Sequence, residues 1–195
     1  MARPLFSMSE KEKEALLCRI ADTAQFYEET YGGCARTTLA ALQEHLHLCE
    51  DKTFQRLFQS TDALAGGVGY HQQMCGAVIA GVMAISLVYG PEGMERLLPQ
   101  NGATWTEAML KHREAIERAH DFVKRFEKSF TGTTCREVQH SVTGRYWNMR
   151  RQEDLALFIT KPYHDRCGRV TGQGARLAAE VILESSDPQT NPKGS

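Results

Sequence analysis

The apolar positions along this chain follow a helical period almost from end to end. Over 9–29, Leu16, Ile20, Ala24 and Tyr27 recur three or four residues apart and form one stripe. Tyr31-Gly32-Gly33 breaks that pattern. A second helix is expected to open near Cys34, with Ala35, Leu39, Leu42 and Leu46 on one face. A third is expected over 51–65, where Phe54, Leu57, Phe58 and Leu64 are apolar. From Cys75 to Tyr89 only Ser86 is plainly polar, the pattern of a helix surrounded by others. Its small residues Ala77, Ala80, Gly81 and Ala84 share a face, which suits close approach by a neighbour in the chain or by a second copy in a homodimer. After a loop over 91–103, a long amphipathic helix is expected over 105–130. There Met109, Ile116, Val123 and Phe130 recur every seven residues, with Ala119 and Phe126 between them. Short helices over 134–140 and 152–159 and a last one over 168–184 complete the reading.

No alternating strand, internal repeat or linker interrupts this series. The expectation is an all-α fold: one domain over 1–186, a bundle of about seven helices around the central apolar helix. The stretch 187–195 reads as a disordered tail.

Bulk properties narrow the function. The 195 residues are 42% hydrophobic and 24% charged, with a formal net charge of -1. There is no basic excess to hold a phosphate backbone, so nucleic acid is not an expected partner. The apolar run over 75–89 is shorter than the ~20 residues needed to span a bilayer, so the chain does not read as an integral membrane protein. The N-terminus lacks a secretory pattern, which points to the cytoplasm. In that compartment the six cysteines are expected to be thiols, metal ligands or catalytic disulfides, not structural staples.

Four cysteines share one kind of place. Cys34 follows Gly32-Gly33. Cys75 follows a loop containing Gly66-Gly67-Val68-Gly69, which reads as a hinge or tight turn. Cys135 follows Thr133-Thr134, and Cys167 precedes Gly168 at the expected start of the last helix. A helix N-terminus offers unpaired N–H groups and the positive end of the dipole, and both favour thiolate over thiol. Cys18 lies opposite its helix's apolar stripe, and Cys49 sits at a helix end; neither stands out. No C-x-x-C pair is present, which argues against a thioredoxin-type motif or covalent c-type haem. His164 stands three residues before Cys167 and His71 four before Cys75, so either could serve as base or as a metal ligand. His45-x-His47 near Cys49 is a weaker candidate ligand pair.

These residues carry a family resemblance. The arrangement comprises Gly33-Cys34-Ala35, a glycine-rich loop into Cys75-Gly76-Ala77, then Phe130-Thr131-Gly132-Thr133-Thr134-Cys135, and Cys167 before a terminal helix. It resembles the C_GCAxxG_C_C family of small helical proteins defined by four cysteines. The family motif runs Cys-Gly-Ala, two variable residues, then Gly; here Ala80 stands in the place of that glycine and Gly81 follows one residue later. The resemblance implies a redox-active protein. A related helical module occurs in a dihaem cytochrome that also carries an iron–sulfur centre. This chain lacks haem attachment sites, so the resemblance implies no haem, while an iron–sulfur cluster remains open.

The expectation is therefore a redox protein with an unknown redox partner. Cys34, Cys75, Cys135 and Cys167 would either ligate an iron–sulfur cluster, with His164 or His71 able to replace one of them, or cycle between dithiol and disulfide with Cys75 as the attacking thiolate. Three alternatives stand beside it: a structural zinc site on the same residues, a helical interaction module with inert core cysteines, and a cysteine enzyme with His164 as base.

Overall fold

The computed structural model describes residues 8–91, 110 and 112–184. Within them the chain is all-α, with no strand and one isolated antiparallel bridge, Met74 to Thr134. In chain order the helices are α1 (Glu10–Tyr31), α2 (Cys34–Leu46), α3 (Asp51–Ser60), α4 (Gly76–Tyr89), α5 (Arg113–Phe130), α6 (Cys135–Thr143), α7 (Gln152–Phe158) and α8 (Tyr163–Leu183). Most of the expected loop 91–103, the start of the expected helix at 105–109 and the expected tail lie outside the described residues. Among the described residues, no helix is long and apolar enough to cross a membrane.

Local sequence explains several of the boundaries. Ser9 caps α1 and Glu12 reaches back to it, satisfying two N-terminal donors at once. Thr134 and Glu137 do the same for α6. The stripes expected on α1 and α2 are the ones that pack: Leu16, Ile20, Ala24, Ala35, Leu39, Leu42 and Leu46 are buried. The helix expected over 51–65 is divided. After α3 the buried Thr61 turns its hydroxyl onto the Phe58 carbonyl, and a short 3-10 turn, Asp62–Leu64, follows.

Two expectations need correction. On α5 the core stripe is Ala115, Phe122 and Phe126, all buried, whereas Ile116 is 53% exposed. The every-seventh pattern follows the flank of the helix; Val123 and Phe130 only brush the core. The last helix starts at Tyr163, more than a turn before Gly168. The sequence pattern places the helix start at Gly168, but that glycine lies inside the helix, where its missing side chain serves packing. A Cβ there would lie 2.8 Å from the Glu29 side chain, and one on Gly172 would lie 2.7 Å from the Ala21 carbonyl oxygen. These glycines let α8 press closely against α1, which offsets the ~1 kcal/mol each costs inside a helix.

The core is built by α1, α2, α4, α5 and α8. As expected, α4 lies among other helices, packing on α2, α5 and α8. Its small-residue face is filled from within the chain. A Cβ on Gly81 would fall 2.3 Å from the Phe122 ring and 3.2 Å from Ala178.

Candidate functional site

The four cysteines come from four separate elements and line one cavity of about 150 Å³, close to the volume known to admit a benzene-sized guest. The cavity is partly open, and what marks it as a candidate site is that four cysteines from separate elements share it.

Cys34 is the first residue of α2, after Gly32 and Gly33, both with positive φ. Its sulfur rests against the start of α4. A Cβ on Gly76 would fall 2.4 Å from Cys34 Sγ and 2.8 Å from the Ala35 nitrogen. The glycine of Cys75-Gly76-Ala77 is thus the space into which the Cys34 sulfur fits. Cys75 is the N-cap of α4 and is buried. Its N–H donates to the Thr133 carbonyl (2.8 Å), and the Cys135 N–H donates to the Gln73 carbonyl (2.6 Å). These two bonds flank the Met74–Thr134 bridge and hold the Cys75 and Cys135 segments side by side.

The glycine loop forms another wall. Gly66, Gly67, Val68, Gly69 and Tyr70 all have φ between 58° and 72°. This is a left-handed turn, which glycine adopts freely and which costs about 1–2 kcal/mol at each other residue. The turn brings Gly66 and Tyr70 to the same cavity as Cys34.

Cys167 is corrected in position. It lies in the second turn of α8, not at its N-terminus, because the helix begins at Tyr163. Its backbone carbonyl accepts from the Thr171 hydroxyl (3.0 Å). His164, one turn earlier on α8, also lines the cavity, whereas His71 does not. His71 is exposed, with Nε2 3.3 Å from Arg150 Nη1. His45 is engaged elsewhere, 2.9 Å from the Thr23 hydroxyl, and burial lowers its pKa. Cys18 is exposed beside Arg176 and Glu14, in keeping with its place off the stripe.

The electrostatics reverse one expectation. Position at a helix N-terminus predicts lowered cysteine pKa values. Instead, the Cys75 side chain beside it and then burial hold the Cys34 thiol well above the ordinary range. Burial, then the nearby Glu28, does the same to Cys167. Burial pushes Cys135 up to about 12. In an apolar pocket the desolvation of a thiolate, and repulsion between several of them, exceeds what a helix dipole returns. With no cation beside them, these three sulfurs are thiols at neutral pH.

Two polar residues that the sequence pattern did not single out also face this region. Glu28 lines the cavity, is only 6% exposed and accepts from the Thr37 hydroxyl (2.8 Å). Burial raises its pKa above the ordinary carboxylate value. A signal was available, since Glu28 stands four residues after Ala24 on the buried stripe of α1. Gln139, 1% exposed, stands one turn after Cys135 on α6; its Nε2 lies 3.3 Å from Cys135 Sγ. A second apolar cluster of Trp147, Met149 and Phe158 has Cys167 packed against it, and its Met149 and Phe158 line the cavity.

Among the described residues, no three His, Cys, Asp or Glu side chains are placed to hold a single metal ion. The four sulfurs are instead spread around a cavity, and four thiolates are the donor set that suits an iron–sulfur cluster.

The family model described as "Putative redox-active protein (C_GCAxxG_C_C)" matches residues 33–181. No curated protein and no solved structure matches the chain.

Proposed function

Because this chain belongs to the C_GCAxxG_C_C family, we propose that Cys34, Cys75, Cys135 and Cys167 together hold an iron–sulfur cluster and that the protein transfers single electrons. The observation that carries this reading is the cavity of about 150 Å³ shared by all four sulfurs. The cluster would supply reversible one-electron chemistry. The chain's own residues do the rest. Gly76 leaves room for the Cys34 sulfur, and Gly66 lines the cavity with it. Val138, Met149, Phe158 and Val170 line the cavity with apolar surface and limit water.

Anaerobic purification followed by absorption spectroscopy and assays for iron and acid-labile sulfide tests this. A coloured protein with iron and sulfide in similar amounts is expected, and serine at any of the four positions should deplete both. A colourless, iron-free protein after anaerobic reconstitution with ferrous iron and sulfide would refute it.

A second reading is favoured by one contact. Cys34 Sγ rests against Gly76, next to Cys75 in the chain, and both cysteines line the cavity; with an external two-electron oxidant this pair would lose two electrons and two protons to form a disulfide across α2 and α4. Thiol counting before and after oxidation of metal-free protein would then change in Cys135→Ser but not in Cys34→Ser. A structural zinc ion has less support, since among the described residues no three donors are placed for one ion.

A further inference from the structure

Gln139 stands out among the largest fully buried side chains as a primary amide, at 1% exposure. A buried amide is costly unless its groups are satisfied, and an aliphatic side chain would fill the same space at no such cost. Its Oε1 accepts from the Trp147 backbone N–H (2.9 Å). A backbone N–H can only donate, so the amide orientation is decided: oxygen toward Trp147, NH₂ toward the Cys135 sulfur at 3.3 Å.

Trp147 is itself held firmly. Its carbonyl accepts from Gln72 Nε2, its indole N–H donates to the Thr143 hydroxyl (3.1 Å), and its ring packs on Tyr163 at 4.8 Å between centroids. Gln72 ties this back to the loop, its carbonyl accepting from the Arg136 N–H (3.4 Å). The result is a fixed chain, Gln72 to Trp147 to Gln139 to Cys135, that ends with a donor aimed at one sulfur. A thiol sulfur is a weak acceptor and a thiolate a strong one, so this donor gains most when the sulfur carries negative charge.

We propose that Gln139 is a positioning residue for the redox site: its amide, locked by Trp147, donates to the Cys135 sulfur and makes the site easier to reduce. The inference rests on the reading that Cys135 belongs to a redox centre. Reduction adds negative charge that the ligand sulfurs share. A donor fixed on one of them therefore stabilises the reduced state more than the oxidised one and raises the potential. It acts against Glu28, the buried carboxyl on the same cavity, which favours less negative charge there.

The test is a spectroelectrochemical titration of the intact, anaerobically purified protein and two variants of similar volume without a donor, Gln139→Met and Gln139→Leu. Thr134→Ala serves as a control that weakens α6 without touching the sulfur. Both Gln139 variants are expected to retain iron and sulfide yet shift toward the oxidised form by roughly tenfold at a fixed ambient potential, about 59 mV for one electron. Thr134→Ala should leave the potential unchanged while lowering the melting temperature. Unchanged potential in folded, iron-replete Gln139 variants would overturn the role of Gln139 alone. A shift of the same size in Thr134→Ala would also overturn it, by reducing the effect to loosened structure. An iron-free wild-type protein would overturn the underlying reading and this inference together.

Discussion

Glu28 shows how much one side chain reveals about the site. It is a carboxyl on the core face of α1, partnered by one hydroxyl and raised in pKa by burial. A carboxyl whose folded pKa lies above its unfolded value contributes stability at low pH, and that contribution is lost as pH rises through the folded value. At neutral pH the group therefore resists folding. A glutamine in its place would keep an acceptor for Thr37 without the charge. Glu28→Gln is expected to raise the melting temperature of the metal-free protein at neutral pH, with the gain shrinking as the pH is lowered. A variant that melts lower at neutral pH would mean that Glu28 makes a stabilising contact beyond Thr37. The residue was visible in the sequence as a stripe position after Ala24. Its cavity was not, because that depends on residues far along the chain.

At the scale of elements, the site is an arrangement of helix starts. α2, α4 and α6 each bring a cysteine at the N-cap or first position, and the glycine at 76 sets how closely the first two meet. Gly76→Ala would place a methyl 2.4 Å from Cys34 Sγ, with the Ala35 backbone behind it. Overpacking at such a junction costs about 1–3 kcal/mol. The variant is expected to lose that much in urea unfolding and to bind less iron. The cap of α6 gives a contrasting case. Thr134→Ala removes the capping-box hydroxyl and should cost about 1 kcal/mol while iron content stays near wild type. The buried stripes of α1 and α2 were legible because they involve neighbours three or four residues apart. The α5 register and the start of α8 were not. In both, tertiary packing chose among several local patterns: Phe122 over Ile116 on α5, and Gly168 as a contact with α1 on α8.

For the whole molecule, the protonation of the thiols becomes a property of folding. Cys135 has a folded pKa of about 12 against an ordinary 9.0, and Cys34 and Cys167 move the same way. Thiols with raised folded values stabilise the native state fully below the unfolded value and lose that contribution as pH climbs through the folded one. Metal-free protein is thus expected to lose stability steadily as pH rises from 9.0 toward 12, by denaturant unfolding, and Cys135→Ser should flatten the slope. A stability flat across that range would show the cavity to be wet and its thiols solvated. The amino-acid sequence alone determined the helical class, the main helices, the four cysteines and the family they mark. All of these rest on local period, local turn chemistry or residue identity. Only the tertiary structure decided that Cys34 and Cys167, far apart in the chain, face one cavity with Cys75 and Cys135. It also decided that Cys167 is inside its helix, and that the Cys75 side chain at Cys34 and burial at Cys135 and Cys167 hold three of the sulfurs as thiols. Burial and desolvation are set by what packs around a group, and here those neighbours come from α1, α2, the glycine loop, α6, α7 and α8 at once.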